Sequence, residues 1–179
     1  MKRLLLASFS CLLLLSCVSA PAEKQSSLVL RESTVSVSQV PFATVGLISP
    51  IYLDFEPYET IAGMPNHEGF DSFKVSIENT SDSVIKIIWA NSAVVYGGKS
   101  FVPYLPAQSF SDAGKPASPT VIPPHTTITQ TIFSSDQVKY FAMSGKWGTN
   151  NIPEQSVTIT LCLESNGKEE YPTISIALK

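Results

Sequence analysis

The side chains best suited to chemistry lie in one stretch that carries proline and glycine breakers, from Glu56 to Gly69. It brings one imidazole near several carboxylates: His67 with Glu56, Glu59 and Glu68, flanked by Asp54 and Asp71. Imidazole nitrogen and carboxylate oxygen together suit zinc or manganese, so a metal-binding or hydrolytic site built on His67 is one interpretation. The spacing matches no established ligand pattern, and acids and histidines are common on solvated loops. We favour a solvated loop and expect no bound metal.

Other signs of catalysis are few. The chain has only two histidines, His67 and His125, so a serine or cysteine nucleophile has few candidate bases. His125 lies in a Pro-Pro-His turn sequence, where a turn role is the simpler interpretation. Neither G-x-S-x-G, H-E-x-x-H, a phosphate loop nor G-x-G-x-x-G occurs. We therefore predict that the protein is not an enzyme and binds no cofactor.

Two aromatic segments without strand periodicity are candidates for binding, residues 101–110 and 143–152. The longer unpatterned stretch, from Pro103 to Thr127, holds six of the 13 prolines. Unpatterned loops of this length are often functional, and aromatic residues supply much of the energy at binding surfaces. We interpret Tyr104, Phe110 and Trp147 as a possible partner-binding surface. The alternative, which is the commoner role for each residue, is that they cover the core.

The N-terminus has the parts of an export signal. Lys2 and Arg3 precede a 12-residue apolar run, Leu4 to Leu15, which is too short for an ordinary transmembrane helix. The run ends in Leu14-Leu15-Ser16-Cys17, and here the chain resembles bacterial lipoproteins. Leu14 and the small Ser16 occupy positions −3 and −1 before the cysteine, and Leu15 stands at −2, where a small residue is commoner.

The resemblance implies cleavage before Cys17 and lipidation of its thiol. It divides the chain into a signal peptide (1–16), a lipidated tether (17–27) and a β-sandwich domain (28–179). The absence of Asp at position 18 implies the outer membrane of the cell envelope. Each buried CH₂ of the acyl chains contributes about 0.8 kcal/mol, so several chains make a durable anchor. The alternative is an ordinary signal peptide cut after Ala20, because Val18-Ser19-Ala20 also forms a small-residue cleavage site.

Charge and cysteine content narrow the range of partners. Removal of Lys2 and Arg3 leaves 10 basic and 15 acidic residues, a net charge of −5. Such a chain lacks the basic surface that nucleic acid requires, so we expect no nucleic-acid partner. The remaining candidates are the membrane, through the lipid, and an envelope protein or polymer. With Cys11 removed and Cys17 lipidated, Cys162 is a single thiol that we expect to be buried and structural.

The most strand-like stretch runs from Phe70 to Trp89. Two runs of alternating apolar residues are joined by the polar turn sequence Asn79-Thr80-Ser81-Asp82-Ser83. The first run contains Ile77 and the second ends at Trp89. We take this pair as the centre of an antiparallel β domain and predict that both Ile77 and Trp89 are core residues, with Trp89 on the second strand.

Turn signals place the other strands. Gly97-Gly98 and Asn166-Gly167 predict hairpins, the second one closing the chain over 155–179, and Pro50 predicts an edge or broken strand. Ser134 and Gln137 have the spacing of a helix cap, which predicts a short helix running to Met143. Seven to nine short strands with 44% apolar and 15% charged residues indicate an antiparallel, immunoglobulin-like β-sandwich. A lipocalin-like or other barrel is the alternative.

Overall fold

A computed structural model describes residues 33–53, 69–142, 144–153 and 156–178. Within these ranges the chain is built from short strands and three single 3₁₀ turns. The strands are β1 Ser33–Val37, β2 Ala43–Leu53, β3 Gly69–Asn79, β4 Ile85–Ile87, β5 Ala93–Tyr96, β6 Lys99–Phe101, β7 Pro103–Tyr104, β8 Thr120–Ile122, β9 Thr127–Ser134, β10 Val138–Phe141, β11 Lys146–Thr149, β12 Ser156–Thr160, β13 Leu163–Ser165, β14 Lys168–Glu170 and β15 Thr173–Leu178. None of the helical turns in the described part of the chain is long and apolar enough to cross a membrane.

The described strands form antiparallel sheets that pack as a sandwich, as the alternating sequence pattern predicts. One sheet has the order β2-β3-β9-β7, and a second has the order β1-β15-β12-β5-β6. A third sheet, β14-β13-β4-β8, and the two-stranded hairpin β10-β11 complete the described part. The all-β, antiparallel class is therefore confirmed, whereas the immunoglobulin-like type stays a prediction.

The three larger sheets share one hydrophobic core. Its largest fully buried side chains come from all of them, and include Phe73, Ile77, Ile87, Trp89 and Ile159. Burying a large apolar side chain stabilises a fold by about 1.5–3 kcal/mol. The prediction that Ile77 and Trp89 are core residues is confirmed, because neither side chain has exposed surface.

The two central runs are both strands, but they do not pair with each other. β3 pairs with β2 and β9, whereas β4 pairs with β13 and β8. The turn between them therefore carries the chain from one sheet to another across the core. Trp89 begins a 3₁₀ turn, Trp89–Asn91, so its prediction as a strand residue is wrong. Alternation in sequence shows which side chains face a core, and both sheets face the same one.

Asn79 explains how the turn is held. Its side chain is fully buried, and Nδ2 donates to the carbonyls of Ser83 (2.8 Å), Ile122 (3.1 Å) and Pro123 (3.0 Å). Its Oδ1 accepts hydrogen bonds from both the amide and the hydroxyl of Ser81. The amide group thus binds the turn to the end of β8, in the third sheet. A polar turn residue fixes a sheet crossing here, which its turn propensity does not reveal.

The closing segment also differs from a single hairpin. Asn166 and Gly167 have φ of 51° and 77°, so the predicted turn is confirmed, but it joins only β13 and β14. The outer pair, β12 and β15, belongs to the five-stranded sheet. Between β12 and β13 lies Cys162, a free and fully buried thiol whose pKa is raised mainly by desolvation. The prediction of a structural cysteine is thereby confirmed.

Two further predictions were right at least in part. β2 is an edge strand with register shifts on either side of Pro50, as the proline indicates. Ser134 and Gln137 do form a capping box, but the helix is a single 3₁₀ turn, Ser135–Gln137. The chain then continues as β10, so the prediction of a helix running to Met143 is wrong. β10 instead forms a hairpin with β11 around Gly145, which has a φ of 64°.

Candidate functional site

Cys17 and all the residues weighed for a metal site except Asp71 lie outside the part of the chain that the structure describes. These are His67, Glu56, Glu59, Glu68, Asp54 and Cys17. Among residues 33–53, 69–142, 144–153 and 156–178, no group of three or more His, Cys, Asp or Glu side chains is arranged to hold a metal. His125 occupies a turn with a φ of 53°, and its Nε2 lies 2.8 Å from Oδ1 of Asp82 on an exposed surface. Its interpretation as a turn residue is confirmed.

The structure does bring together Tyr104, Phe110 and Trp147. They are part of a row of five contacting rings, which we call the aromatic ladder: Phe133, Tyr104, Phe110, Trp147 and Tyr140. Successive ring centroids lie 6.2, 6.0, 6.5 and 5.6 Å apart. The two central contacts are nearly parallel, with interplanar angles of 15° and 9°, and the two outer contacts are edge-to-face. Both arrangements are favourable for aromatic pairs.

The buried end of the ladder is built on a pair of strands. Tyr104 on β7 lies directly opposite Phe133 on β9, so both rings project from the same face of the sheet. The next residue, Leu105, joins the hydrophobic core instead. Tyr104 is only 3% exposed, and its hydroxyl donates to the carbonyl of Gln108 at 2.9 Å. Tyr104 therefore supports the ladder from beneath and contributes little surface to a partner.

The side chain of Gln108 holds the loop that carries the third ring. Its Oε1 accepts from the amide of Leu105 at 2.8 Å, and its Nε2 donates to the carbonyl of Lys115 at 3.1 Å. Between these two anchor points the chain forms a 3₁₀ turn, Phe110–Asp112. Phe110 stands on this turn with 39% of its surface exposed. The loop is thus closed on itself by hydrogen bonds, and Phe110 is presented from an ordered support.

The exposed end of the ladder is a cross-strand pair on the hairpin β10-β11. Tyr140 and Trp147 lie directly opposite each other and are 54% and 49% exposed. The other face of the hairpin packs Phe141 over Gly148. A Cβ at Gly148 would lie 2.9 Å from Cε2 of Phe141, so a side chain at this position would displace that ring. The glycine that follows Trp147 is therefore required by packing.

Gln137 fastens the hairpin to the sandwich. It is 2% exposed, and its Nε2 donates to the carbonyls of Phe70 (3.1 Å), Asp71 (2.7 Å) and Asn150 (3.0 Å). Its Oε1 accepts from the amide of Ser134 at 2.7 Å. One buried side chain thus joins the start of β3, the end of β9 and the base of the hairpin. Buried amides that satisfy several backbone groups make such junctions rigid.

Sequence reasoning did not find Tyr140, Phe133 or the role of Gln137. The sequence does contain an indication for Tyr140: a hairpin turn at Gly145 would place Tyr140 opposite Trp147. The prediction of a helix in this segment excluded that hairpin. Phe133 lies on β9, and nothing local in the sequence indicates that Tyr104 would pair with it. The contacts of Gln137 span 66 and 67 residues along the chain, which no local pattern can show.

A groove of about 380 Å³ lies beside the loop. It is lined by Leu105, Ala107, Gln108, Ala117, Ser118, Thr120 and Gln130. These side chains offer apolar, hydroxyl and amide groups but no acid or base. The groove and the ladder together offer surfaces for contact and for hydrogen bonding.

Comparison with known proteins adds no relative to this picture. No protein-family model matches the chain, and no curated protein matches it.

Proposed function

We propose that this chain is a lipid-anchored lipoprotein of the bacterial cell envelope whose β-sandwich is a binding module rather than an enzyme. In this proposal Cys17 carries the lipid, and the exposed part of the aromatic ladder contacts the partner. The ladder residues concerned are Phe110, Trp147 and Tyr140, with Tyr104 beneath them.

The N-terminal sequence supports the anchor. The positive Lys2 and Arg3, the short apolar run and the Leu14-Leu15-Ser16-Cys17 boundary occur in the order of a lipoprotein signal. Val18 in place of Asp supports retention in the outer membrane.

One observation supports the binding role: most of the exposed aromatic rings in the described part of the chain lie together in the ladder. Four aromatic side chains are largely exposed in the described part of the chain, and three of them belong to the ladder. Each has few rotatable bonds and is held by a neighbouring ring, so little conformational entropy is lost when a partner covers it. Exposed apolar clusters on a rigid support are typical of interaction sites.

The anchor is tested by replacing Cys17 with serine. We expect loss of fatty-acid labelling and release of the protein into the soluble fraction, because serine has no thiol to which the lipid can be attached. A Ser16→Ala variant, which keeps a small residue before the cysteine, is the matched control and should stay membrane-bound. Normal labelling of the Cys17→Ser protein would contradict the proposed anchor.

The binding surface is tested by site-specific photocrosslinking in intact cells. A photoreactive residue at position 147 should crosslink efficiently to the lipid or protein that covers this ring, since the ring is exposed at the end of the ladder. Tyr171 provides the control, because it is an aromatic residue of similar exposure (48%) outside the ladder. Equal crosslinking at positions 147 and 171 would contradict a specific surface at the ladder.

A further inference from the structure

We propose that the exposed end of the aromatic ladder rests in the interfacial layer of the same bilayer that holds the Cys17 lipid. The inference depends on the proposed anchor and adds the identity of the surface that the ladder contacts. Lipid headgroups and the upper acyl chains, rather than an envelope protein or polymer, would then cover Trp147, Tyr140 and Phe110. The domain would have a defined orientation on the membrane.

Strand register places the ladder at the end of the sandwich where the chain enters from the tether. In the five-stranded sheet, Val35 on β1 is opposite Ile176, and Ile176 is opposite Val157. Val95 on β5 is opposite Thr158, so Tyr96 stands at the level of Val157. Ser33, where the described chain begins, is therefore at the Tyr96 end of the sheet.

The same end carries the ladder. The hydroxyl of Tyr96 lies 3.1 Å from the hydroxyl of Ser134. Ser134 follows Phe133, the first ring of the ladder, and caps the turn that leads into the hairpin with Tyr140 and Trp147. The first described residue of the domain and the base of the ladder are thus joined through one sheet and one hydrogen bond.

The tether limits how far this end can lie from the membrane. Fifteen residues separate Cys17 from Ser33. A chain of that length spans at most about 55 Å even when fully extended. Lipidation therefore makes contact between the domain and its own bilayer an intramolecular encounter at high effective concentration. An envelope protein can approach any face of the sandwich, whereas the bilayer is reached first from the end at which the tether enters.

The ladder has the chemistry that membrane interfaces select. Tryptophan and tyrosine are enriched where acyl chains meet headgroups, because an apolar ring body is joined to a polar N–H or O–H group. Trp147 and Tyr140 are such residues, and Phe110 adds an apolar ring beside them. They stand on a hairpin and a loop, so insertion of the rings requires no change in the sandwich.

The charges around the ladder suit an anionic lipid surface. Asp112 forms an ion pair with Lys115 at 2.8 Å, and Asp136 forms one with Lys139 at 3.4 Å. Lys146, next to Trp147, has no carboxylate within ion-pairing distance among the described residues. The segments that carry the exposed rings are therefore neutral to positive, although the mature chain carries a net charge of −5. Anionic headgroups attract such a local excess of lysine.

The proposal is tested with the purified lipidated protein in vesicles of phosphatidylethanolamine and phosphatidylglycerol. Fluorescence is recorded with iodide in the aqueous phase and, separately, with lipids brominated in the upper acyl chain. The Trp147→Phe variant gives the signal of Trp89 alone, which is subtracted. We expect Trp147 to shift to shorter wavelength, to lose quenching by iodide and to gain quenching by the brominated lipid.

The control is the mature Cys17→Ser chain without vesicles, in which Trp147 should be quenched by iodide. In the double variant Lys139→Glu with Lys146→Glu, part of the iodide quenching of Trp147 should return in the vesicles of phosphatidylethanolamine and phosphatidylglycerol. The substitutions should have a smaller effect in vesicles of phosphatidylcholine alone.

If the lipidated protein binds vesicles but Trp147 stays as accessible to iodide as in the control, the proposal is overturned and the anchor stands. Protection of Trp147 in cell envelopes but not in vesicles would also overturn it, in favour of a protein or polymer partner. Failure to associate with vesicles at all would instead reject the anchor.

Discussion

The two tryptophans of this chain stand in opposite environments. Trp89 has no exposed surface, and its Nε1 donates to Oγ1 of Thr120 at 2.9 Å. Trp147 is 49% exposed, and its ring contacts those of Phe110 and Tyr140. The first ring joins the end of β4 to β8 in the core, whereas the second lies on a hairpin outside the core. The same side chain stabilises the fold at one site and remains available for contact at the other.

The difference shows which side chains of this molecule can still contribute free energy to binding. A buried ring has already been removed from water, so a partner gains nothing from it. The exposed rings of the aromatic ladder keep 39–54% of their surface in water, and the energy of covering that surface is released only on contact. Neighbouring rings order them in advance. We therefore expect substitutions in the core and in the ladder to separate stability from binding.

The largest effect is expected at Trp89. Replacement by alanine should lower the free energy of unfolding by about 3–5 kcal/mol, because it leaves a cavity in the shared core. The matched variant Trp147→Ala should lower it less, by about 1–2 kcal/mol, because it removes two ring contacts at a half-exposed site and leaves no cavity in the core. Chemical denaturation followed by circular dichroism measures both values. Equal losses of stability in the two variants would show that the ladder is part of the core and would contradict the different roles assigned to Trp89 and Trp147.

Gln137 should have the next largest effect. Its replacement by alanine removes a donor from the carbonyls of Asp71 and Asn150, which costs about 1–3 kcal/mol, while the Phe70 carbonyl keeps its bond from the Ile152 amide. The hairpin should also loosen, so Trp147 emission should change while Trp89 emission stays the same. Gln130→Ala is the control, because the half-buried amide of Gln130 donates at 3.2 Å to the carbonyl of the adjacent Thr131 and to no other described residue. A stable variant with an unchanged ladder would contradict the role assigned to Gln137.

The smallest effect is spectroscopic and leaves the fold intact. In the Trp147→Phe variant, the remaining Trp89 should emit at short wavelength and resist quenching by acrylamide, since its ring is fully buried. In the Trp89→Phe variant, the remaining Trp147 should emit at longer wavelength and be readily quenched. Steady-state fluorescence of the unlipidated protein measures both. Similar quenching of the two residues would contradict the difference in burial on which the comparison rests.

Local features of the sequence predicted the local features of the fold. Alternating apolar residues indicated which side chains face the core, as Phe73, Val75 and Ile77 show. Asn166-Gly167 predicted a turn because both residues adopt positive φ, and Pro50 predicted an edge strand because it has no amide to donate. The capping box of Ser134 and Gln137 was likewise readable from its spacing.

Part of the candidate site was also visible. Tyr104, Phe110 and Trp147 were distinguished by aromatic character in segments without strand pattern, and the structure places them in one ladder. Their division of roles was not visible, because the burial of Tyr104 depends on the loop closed by Gln108. The contribution of Tyr140 was missed because β10 was predicted as helix.

The sequence by itself determined the all-β class, the core-facing residues, several turns and the candidate lipid anchor at Cys17. Each depends on neighbouring residues: on period-two alternation, on turn chemistry or on a short ordered motif. Only the tertiary structure decided that β3 and β4 belong to different sheets, that β12–β15 and β13–β14 are separate pairs, and that five aromatic rings meet. The physical reason is that backbone hydrogen bonds pair any two strands of suitable length equally well, so partners are selected by the packing of side chains that are distant in sequence.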